Sequence, residues 1–177
     1  MKQVRLIEPP VLLREQFVDF MSDWNATGEQ LVPFVLAMDY SNYQEYIQKL
    51  KNYSLGIGLP DGFVPHSTFW LIYDDKIIGV SNLRHSLTDK LLKEGGNIGY
   101  GIRPTERQKG YATILLQLTL EKARAMGLSK VLLTCDKDNV GSVKTILNNN
   151  GVLDSEEEIN GKVHQRYWIE LSRNPQY

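Results

Sequence analysis

The sequence predicts one α/β domain built on a mixed sheet, and three observations carry that reading. The chain has 177 residues with 42% apolar content, enough for one well-formed core and too short to suggest two. The apolar positions of the first third recur at helical spacing, and the period then changes to short strand-like runs separated by helices. The stretch from Gly99 to Thr113 reads as a strand, a basic Gly-containing turn and the start of a helix.

The elements follow in order. Gln3 to Glu8 makes a short first strand closed by Pro9-Pro10. From Val11 to Trp24, residues Leu12, Leu13, Phe17, Phe20, Met21 and Trp24 share helical spacing, and Gly28 ends the unit. A second helix covers Tyr43 to Tyr53, and the Gly56 to Gly62 breaker cluster forms a loop. Ser67 to Tyr73 and Ile77 to Leu83 form a hairpin around Asp74-Asp75-Lys76. A helical turn at Leu87 to Lys93 leads through Gly95-Gly96 into a strand from Asn97 to Arg103. The next helix, Tyr111 to Met126, buries Ala112, Leu115, Leu116, Leu120 and Ala123 and is stopped by Gly127. Val131 to Cys135 is a short apolar strand of a sheet covered on both faces. A helix from Gly141 to Asn150 follows, and the chain closes with a hairpin at Asn160-Gly161.

Composition narrows the function classes. With 20 basic and 21 acidic side chains and a net charge of −1, the chain lacks the basic excess of a dedicated nucleic-acid binder. Cys135 is the only cysteine, which excludes an intrachain disulfide and a Cys-based zinc cluster. The segment Met1 to Ile7 lacks the apolar core of a signal peptide. No apolar run approaches the ~20 residues that cross a bilayer. These features lead to the expectation of a cytoplasmic protein with no membrane partner, no nucleic-acid partner and no metal.

The turn before Tyr111 carries the chemistry. The first N–H groups of a helix have no intrahelical partners, and the helix dipole adds partial positive charge there. Arg107 and Lys109 bring full charges to the same spot, so a phosphorylated ligand, most plausibly a pyrophosphate, suits the site. A dinucleotide fingerprint fails, because Gly99-x-Gly101-x-x-Pro104 lacks the third glycine and lies within a strand. No Gly-Lys-Ser/Thr of a P-loop occurs.

The order of elements and the turn Arg107-Gln-Lys-Gly110-Tyr-Ala112 together resemble the GNAT superfamily of acyl-CoA-dependent N-acetyltransferases. The family pattern Arg/Gln-x-x-Gly-x-Gly/Ala is met by Arg107, Gly110 and Ala112. The strings Arg84-His-Ser-Leu87 and Gly96 to Pro104 look like a bacterial group of acetyltransferases without an assigned acceptor. The resemblance covers Ser67 to Leu171. It implies an α/β fold of the α+β type, with a mixed, mostly antiparallel sheet of six to seven strands, flanking helices, and fourth and fifth strands splayed apart. It also implies one domain over residues 1–177, with 1–66 on the acceptor side and 67–171 as the cofactor-binding core.

By that resemblance acetyl-CoA is the co-substrate and a small-molecule or peptide amine the acceptor; homodimers are common in the superfamily. The pyrophosphate would meet the turn Arg107, Gln108, Lys109, Gly110, Tyr111, Ala112 and Thr113. The pantetheine arm would pair with the strand at Tyr100, Gly101, Ile102 and Arg103, with an N–H near Ile102 polarising the thioester. Asn139 and Ser142 match positions that contact the cofactor arm.

Two family residues are replaced. Asn97 stands where many members carry a glutamate, and Ile146 where many carry a tyrosine, so the acid–base pair is open. His85, Asn97 and Asp136 are the catalytic candidates, because His85 titrates near neutrality, Asn97 can orient a water and Asp136 ends the strand near the splay. Arg84 and Tyr43 are the acceptor-binding candidates, Arg84 through its fork and Tyr43 within an aromatic set with Phe34, Tyr40 and Tyr46. A non-catalytic acyl-CoA-binding sensor or interaction module is the alternative reading.

Overall fold

The computed structural model describes residues 3–171; Met1 and Lys2 of the N-terminal segment lie outside them. Seven strands and five α-helices follow one another as β1 (Arg5–Ile7), α1 (Arg14–Thr27), α2 (Tyr43–Ser54), β2 (His66–Tyr73), β3 (Lys76–Arg84), α3 (Asp89–Lys93), β4 (Ile98–Ile102), α4 (Tyr111–Ala125), β5 (Lys130–Asp136), α5 (Val140–Asn148), β6 (Val152–Ile159) and β7 (Lys162–Glu170). The elements sit where the periodicity places them, shifted by three residues at both ends of α1 and by a residue or two elsewhere. Short 3-10 turns precede α1 and fill Phe34–Ala37.

Two-residue turns set the hairpin registers. Asp74 and Asp75 both take positive φ, so Tyr73 pairs with Lys76. Asn160 and Gly161 do the same between Ile159 and Lys162. That backbone twist matches the twist of the flanking strands. The strands form two sheets, ordered β1-β2-β3-β4 and β5-β7-β6, with antiparallel pairing throughout.

Three apolar clusters hold the layers together. Phe17, Phe20, Met21 and Trp24 of α1 and Tyr43, Tyr46, Ile47 and Leu50 of α2 pack on Trp70, Ile72 and Val80 of the first sheet. On the opposite side, Leu116, Leu120 and Ala123 of α4 join Phe69, Leu83 and Ile98 to Val131, Leu133, Tyr167 and Ile169 of the second sheet. Leu115 fills a smaller cluster with Leu71, Ile78 and Ile102. Inside the α4 layer, Thr119 bonds Ser81 at 2.7 Å and the Leu115 carbonyl at 2.7 Å, so neither hydroxyl is orphaned.

The edge where the sheets meet decides the site. In the β3–β4 ladder, Arg84 N–H donates to the Asn97 carbonyl at 2.7 Å. The return bond to the Arg84 carbonyl comes from Asn97 Nδ2 at 3.2 Å, not from the Asn97 backbone. The freed Asn97 N–H donates instead to the Leu132 carbonyl of β5 at 2.7 Å, and Leu132 N–H donates back to Asn97 Oδ1 at 2.8 Å. One asparagine thus stitches β3, β4 and β5 together, and beyond it β4 and β5 part. Its segment is fixed by two arginines. Arg84 Nη1 donates to the Gly95 and Gly96 carbonyls, and Arg166 Nε donates to the Leu92 and Lys93 carbonyls.

A buried histidine makes the fold acid-sensitive. His66 on β2 is 1% exposed, ringed by Phe34, Tyr53 and Phe63, and burial pushes its pKa from 6.5 down to about 4. Between those values the unfolded chain binds the proton and the folded one does not, so stability falls as pH drops through that window. Chemical denaturation at pH 7 and pH 5 is expected to show a loss that His66→Gln flattens. An equal loss in the variant would contradict the assignment.

No helix among the described residues is long and apolar enough to cross a membrane.

Candidate functional site

A cavity of about 850 Å³ opens where β4 and β5 part. Its walls come from the end of α1 and the following loop (Trp24, Glu29, Gln30, Val32), from β4 (Tyr100, Gly101, Ile102), from the turn before α4 and from the start of α5.

The turn is built as an anion nest. Gln108 and Gly110 take φ of 62° and 83°, and this alternation turns successive N–H groups toward one side. The N–H groups of Gln108 to Thr113 make no backbone hydrogen bond among the described residues; the first helical bond is Ile114 N–H to the Gly110 carbonyl. Glycine is required at 110 by its φ, since a Cβ there would meet nothing within 4 Å. The positive end of the α4 dipole faces the same space.

The wall of the cavity at β4 is an open strand edge. Arg103 N–H donates to the Ile78 carbonyl of β3 at 2.8 Å, so by alternation the polar groups of Tyr100 and Ile102 face away from β3. Arg107 Nε donates to the Ile102 carbonyl at 3.3 Å, which shows that edge facing the turn. Gly101 presents its other face to the loop after α1. A Cβ there would lie 2.1 Å from the Val32 carbonyl oxygen and 3.0 Å from Trp24.

On the far wall, Asn139 caps α5 by accepting the Ser142 N–H at 3.1 Å. Ser142 Oγ meets the Tyr100 hydroxyl at 2.8 Å, across the opening between the sheets. Burial pushes the Tyr100 phenol up to about 12. Burial likewise raises the nearby Cys135 thiol.

The structure thus brings together Tyr100, Gly101, Ile102, Arg107, Gln108, Gly110, Tyr111, Ala112, Thr113, Asn139 and Ser142, all on the cavity wall. It places the remaining candidates elsewhere. Arg103 is 7% exposed, and its side chain turns to Asp19 and Asp23 of α1. Lys109 pairs with Glu106 at 2.8 Å and does not line the cavity. Asn97 is 2% exposed with both ends of its amide spent on the joint, so it holds strands and not a water.

His85 Nε2 bonds Ser67 Oγ at 2.9 Å, away from the cavity wall. Asp136 is held by Lys162 at 3.3 Å and His164 at 3.0 Å, both on β7. The Arg84 guanidinium is held by the Gly95 and Gly96 carbonyls, and neither residue lies on the cavity wall. Tyr43 is 5% exposed in the α1–α2 core with its hydroxyl on the Pro10 carbonyl at 3.0 Å. Ile146, in place of the family tyrosine, is fully buried.

Sequence reasoning missed Trp24, Glu29 and Lys144 on the wall. Trp24 reads as one of the apolar positions at helical spacing in α1, and nothing in the sequence marks Glu29 or Lys144. Nothing in a single sequence says that the loop after α1 folds back over β4.

A sheet split in two, with a cavity opening along the edge of β4, defines this protein as an α+β domain with a candidate ligand site between its sheets. Residues 29–148 match the profile of the Acetyltransferase (GNAT) family, and the chain belongs to that family. No curated protein matches it in sequence. Its fold is similar to that of Mycobacterium smegmatis RimJ in complex with CoA-disulfide (TM-score 0.69, 16% identity, 98% of this chain and 84% of that one). It is similar also to the microcin C7 self-immunity acetyltransferase MccE in complex with acetyl-CoA and AMP (TM-score 0.64, 18% identity, 95% and 92%). A third similar structure is the Salmonella typhimurium acetyl transferase that modifies the N-terminal serine of ribosomal protein L7/L12 (TM-score 0.65, 14% identity, 96% and 95%).

Proposed function

We propose that this chain is an acetyl-CoA-dependent N-acetyltransferase that moves an acetyl group to a primary amine by direct attack in a ternary complex. One observation carries the reading: Gln108 and Gly110 to Thr113, whose N–H groups make no backbone hydrogen bond, line the same cavity as the free edge of β4. Residues 1–66 form the acceptor side and 67–171 the cofactor-binding core. Several complexes of similar folds contain acetyl-CoA or a CoA derivative, which supports the choice of donor.

The nest and the α4 dipole bind the pyrophosphate, and Lys144 on the facing helix adds a charge. Tyr100 offers its backbone groups to the amides of the pantetheine arm, and Ile102 N–H polarises the acyl carbonyl. Acetyl-CoA supplies the acyl group already activated as a thioester. An ammonium acceptor gives one proton to solvent, the neutral nitrogen bonds the carbonyl carbon, the C–S bond breaks, and the second proton, lost by the nitrogen as the amide forms, passes through water to the thiolate to give CoA. With its pKa near 12, Tyr100 lies well above an ordinary thiol at about 8.5. In this reading its hydroxyl, on the cavity wall and 2.8 Å from Ser142 Oγ, donates a hydrogen bond to the leaving sulfur and keeps its own proton.

Tyr100→Phe is expected to lower turnover by roughly ten- to a hundredfold with the affinity for desulfo-CoA little changed. Loss of both together would remove Tyr100 from this role. The reading as a whole is tested by a broad amine screen that follows thiol release from acetyl-CoA. At least one amine should raise release well above the hydrolysis background. The alternative, a non-catalytic acyl-CoA-binding module, is favoured by the structural use of Asn97 and Ile146, and it requires CoA binding with no acceleration by any amine.

A further inference from the structure

Arg107 is not free to meet a phosphate as the protein stands. Its Nη1 and Nη2 donate to both carboxylate oxygens of Glu29 at 3.0 and 2.7 Å. Its guanidinium carbon lies 5.0 Å from the centre of the Trp24 ring, and its Nε reaches the Ile102 carbonyl. Trp24, Glu29, Ile102 and Arg107 all line the cavity. The Trp24 side chain offers its ring face to that cation, while its Nε1–H is buried out of reach of the cavity.

An aromatic face, a carboxylate and a backbone carbonyl around one point make a receptor for a cation. The cation there belongs to the chain itself, and it is anchored on the turn whose N–H groups are suited to an anion. Glu29 and Arg107 are each partly exposed, at 47% and 37%, so their pair is screened and readily exchanged. The receptor touches Ile102, the strand position that faces the thioester in the reading above.

We infer that Trp24, Glu29 and the Ile102 carbonyl form the recognition site for the acceptor's ammonium group, and that Arg107 is its built-in placeholder. This rests on the coenzyme A reading. When the pyrophosphate enters the nest, Arg107 turns to it and vacates the site. The ammonium then takes its place over the indole and beside Glu29, next to the acyl carbon. Donor binding therefore precedes acceptor binding. The acceptor is a primary amine that is cationic on arrival and gives its proton to solvent past Glu29 before attack.

The test uses the full chain with 15N-labelled tryptophan indoles and the Trp24 signal assigned by Trp24→Phe. Desulfo-CoA alone is expected to shift that signal as the guanidinium leaves. On the desulfo-CoA-loaded protein, n-butylammonium should shift it again and saturate, while 1-butanol should not. Glu29→Gln should weaken n-butylammonium binding by roughly tenfold or more, yet hold desulfo-CoA as tightly or tighter because Arg107 is released. A Trp24 signal indifferent to n-butylammonium, an equal response to 1-butanol, or an unchanged ammonium affinity in Glu29→Gln would overturn the inference. Calorimetry separates the two levels: failure of desulfo-CoA to bind overturns the coenzyme A reading and this inference with it.

Discussion

A valine at Gly110 is expected to abolish binding of desulfo-CoA while leaving the domain folded. Gly110 sits at φ 83°, a left-handed backbone that costs an L-residue roughly 1–2 kcal/mol, and a β-branched residue is among the worst there. The chain can relieve that strain by rotating the turn. Rotation re-aims the N–H groups of Gly110 to Thr113, which no backbone acceptor holds in place. If the turn does not rotate, the isopropyl group enters the open space beside the nest, where a Cβ meets no protein atom. Either way a phosphate loses several charge-assisted bonds, and an affinity loss of roughly a hundredfold or more follows. Gly28 supplies the control. It ends α1 at φ 65°, also with nothing within 4 Å of a Cβ, so Gly28→Val should bring comparable strain without comparable loss of binding. Titration calorimetry with thermal melts separates the two effects.

Asn97→Ala is expected to be the most destabilising single change near the cavity. It removes the acceptor of the Leu132 N–H and the donor to the Arg84 carbonyl. It does so at a position 2% exposed, where water cannot readily replace them. Leaving two buried polar groups unpaired costs about 2–5 kcal/mol, or roughly 5–15 °C in melting temperature for a domain of this size. The joint also sets where β4 and β5 begin to part, so CoA affinity should fall in the fraction that remains folded. Asn97→Asp keeps the acceptor for Leu132 but sets a buried carboxylate oxygen against the Arg84 carbonyl, and should be no milder. Equal stability of wild type and Asn97→Ala would show that the sheets are joined by other means.

The fold was legible because each element carries a local signature: helical spacing in α1, α2 and α4, Gly127 after α4, and Asp74-Asp75 and Asn160-Gly161 in the turns. The cavity wall was legible for the same reason, since a nest needs particular backbone angles and Gly110 declares one of them. Side-chain roles were not legible in this way. Arg84, His85, Asp136 and Tyr43 carry suitable chemistry, yet their partners lie 11 to 33 residues away in sequence, and no spacing rule announces them. Asn97 was singled out as a replacement for a glutamate, and its position mattered for a different reason. An asparagine carries both a donor and an acceptor, and that pair lets it leave one ladder and join another. Trp24 and Glu29 were invisible because only the return of the chain over Gly101 brings them to the cavity.

The central claim is that the nest before α4 and the open edge of β4 form one coenzyme A cradle. Isothermal titration of the full chain with acetyl-CoA tests it most directly. One site is expected, with a dissociation constant in the micromolar range, about −7 to −8 kcal/mol. Desulfo-CoA should compete for that site, ATP alone should not, and Gly110→Val should lose it. No heat of binding up to millimolar acetyl-CoA, or displacement by ATP but not by desulfo-CoA, would contradict it.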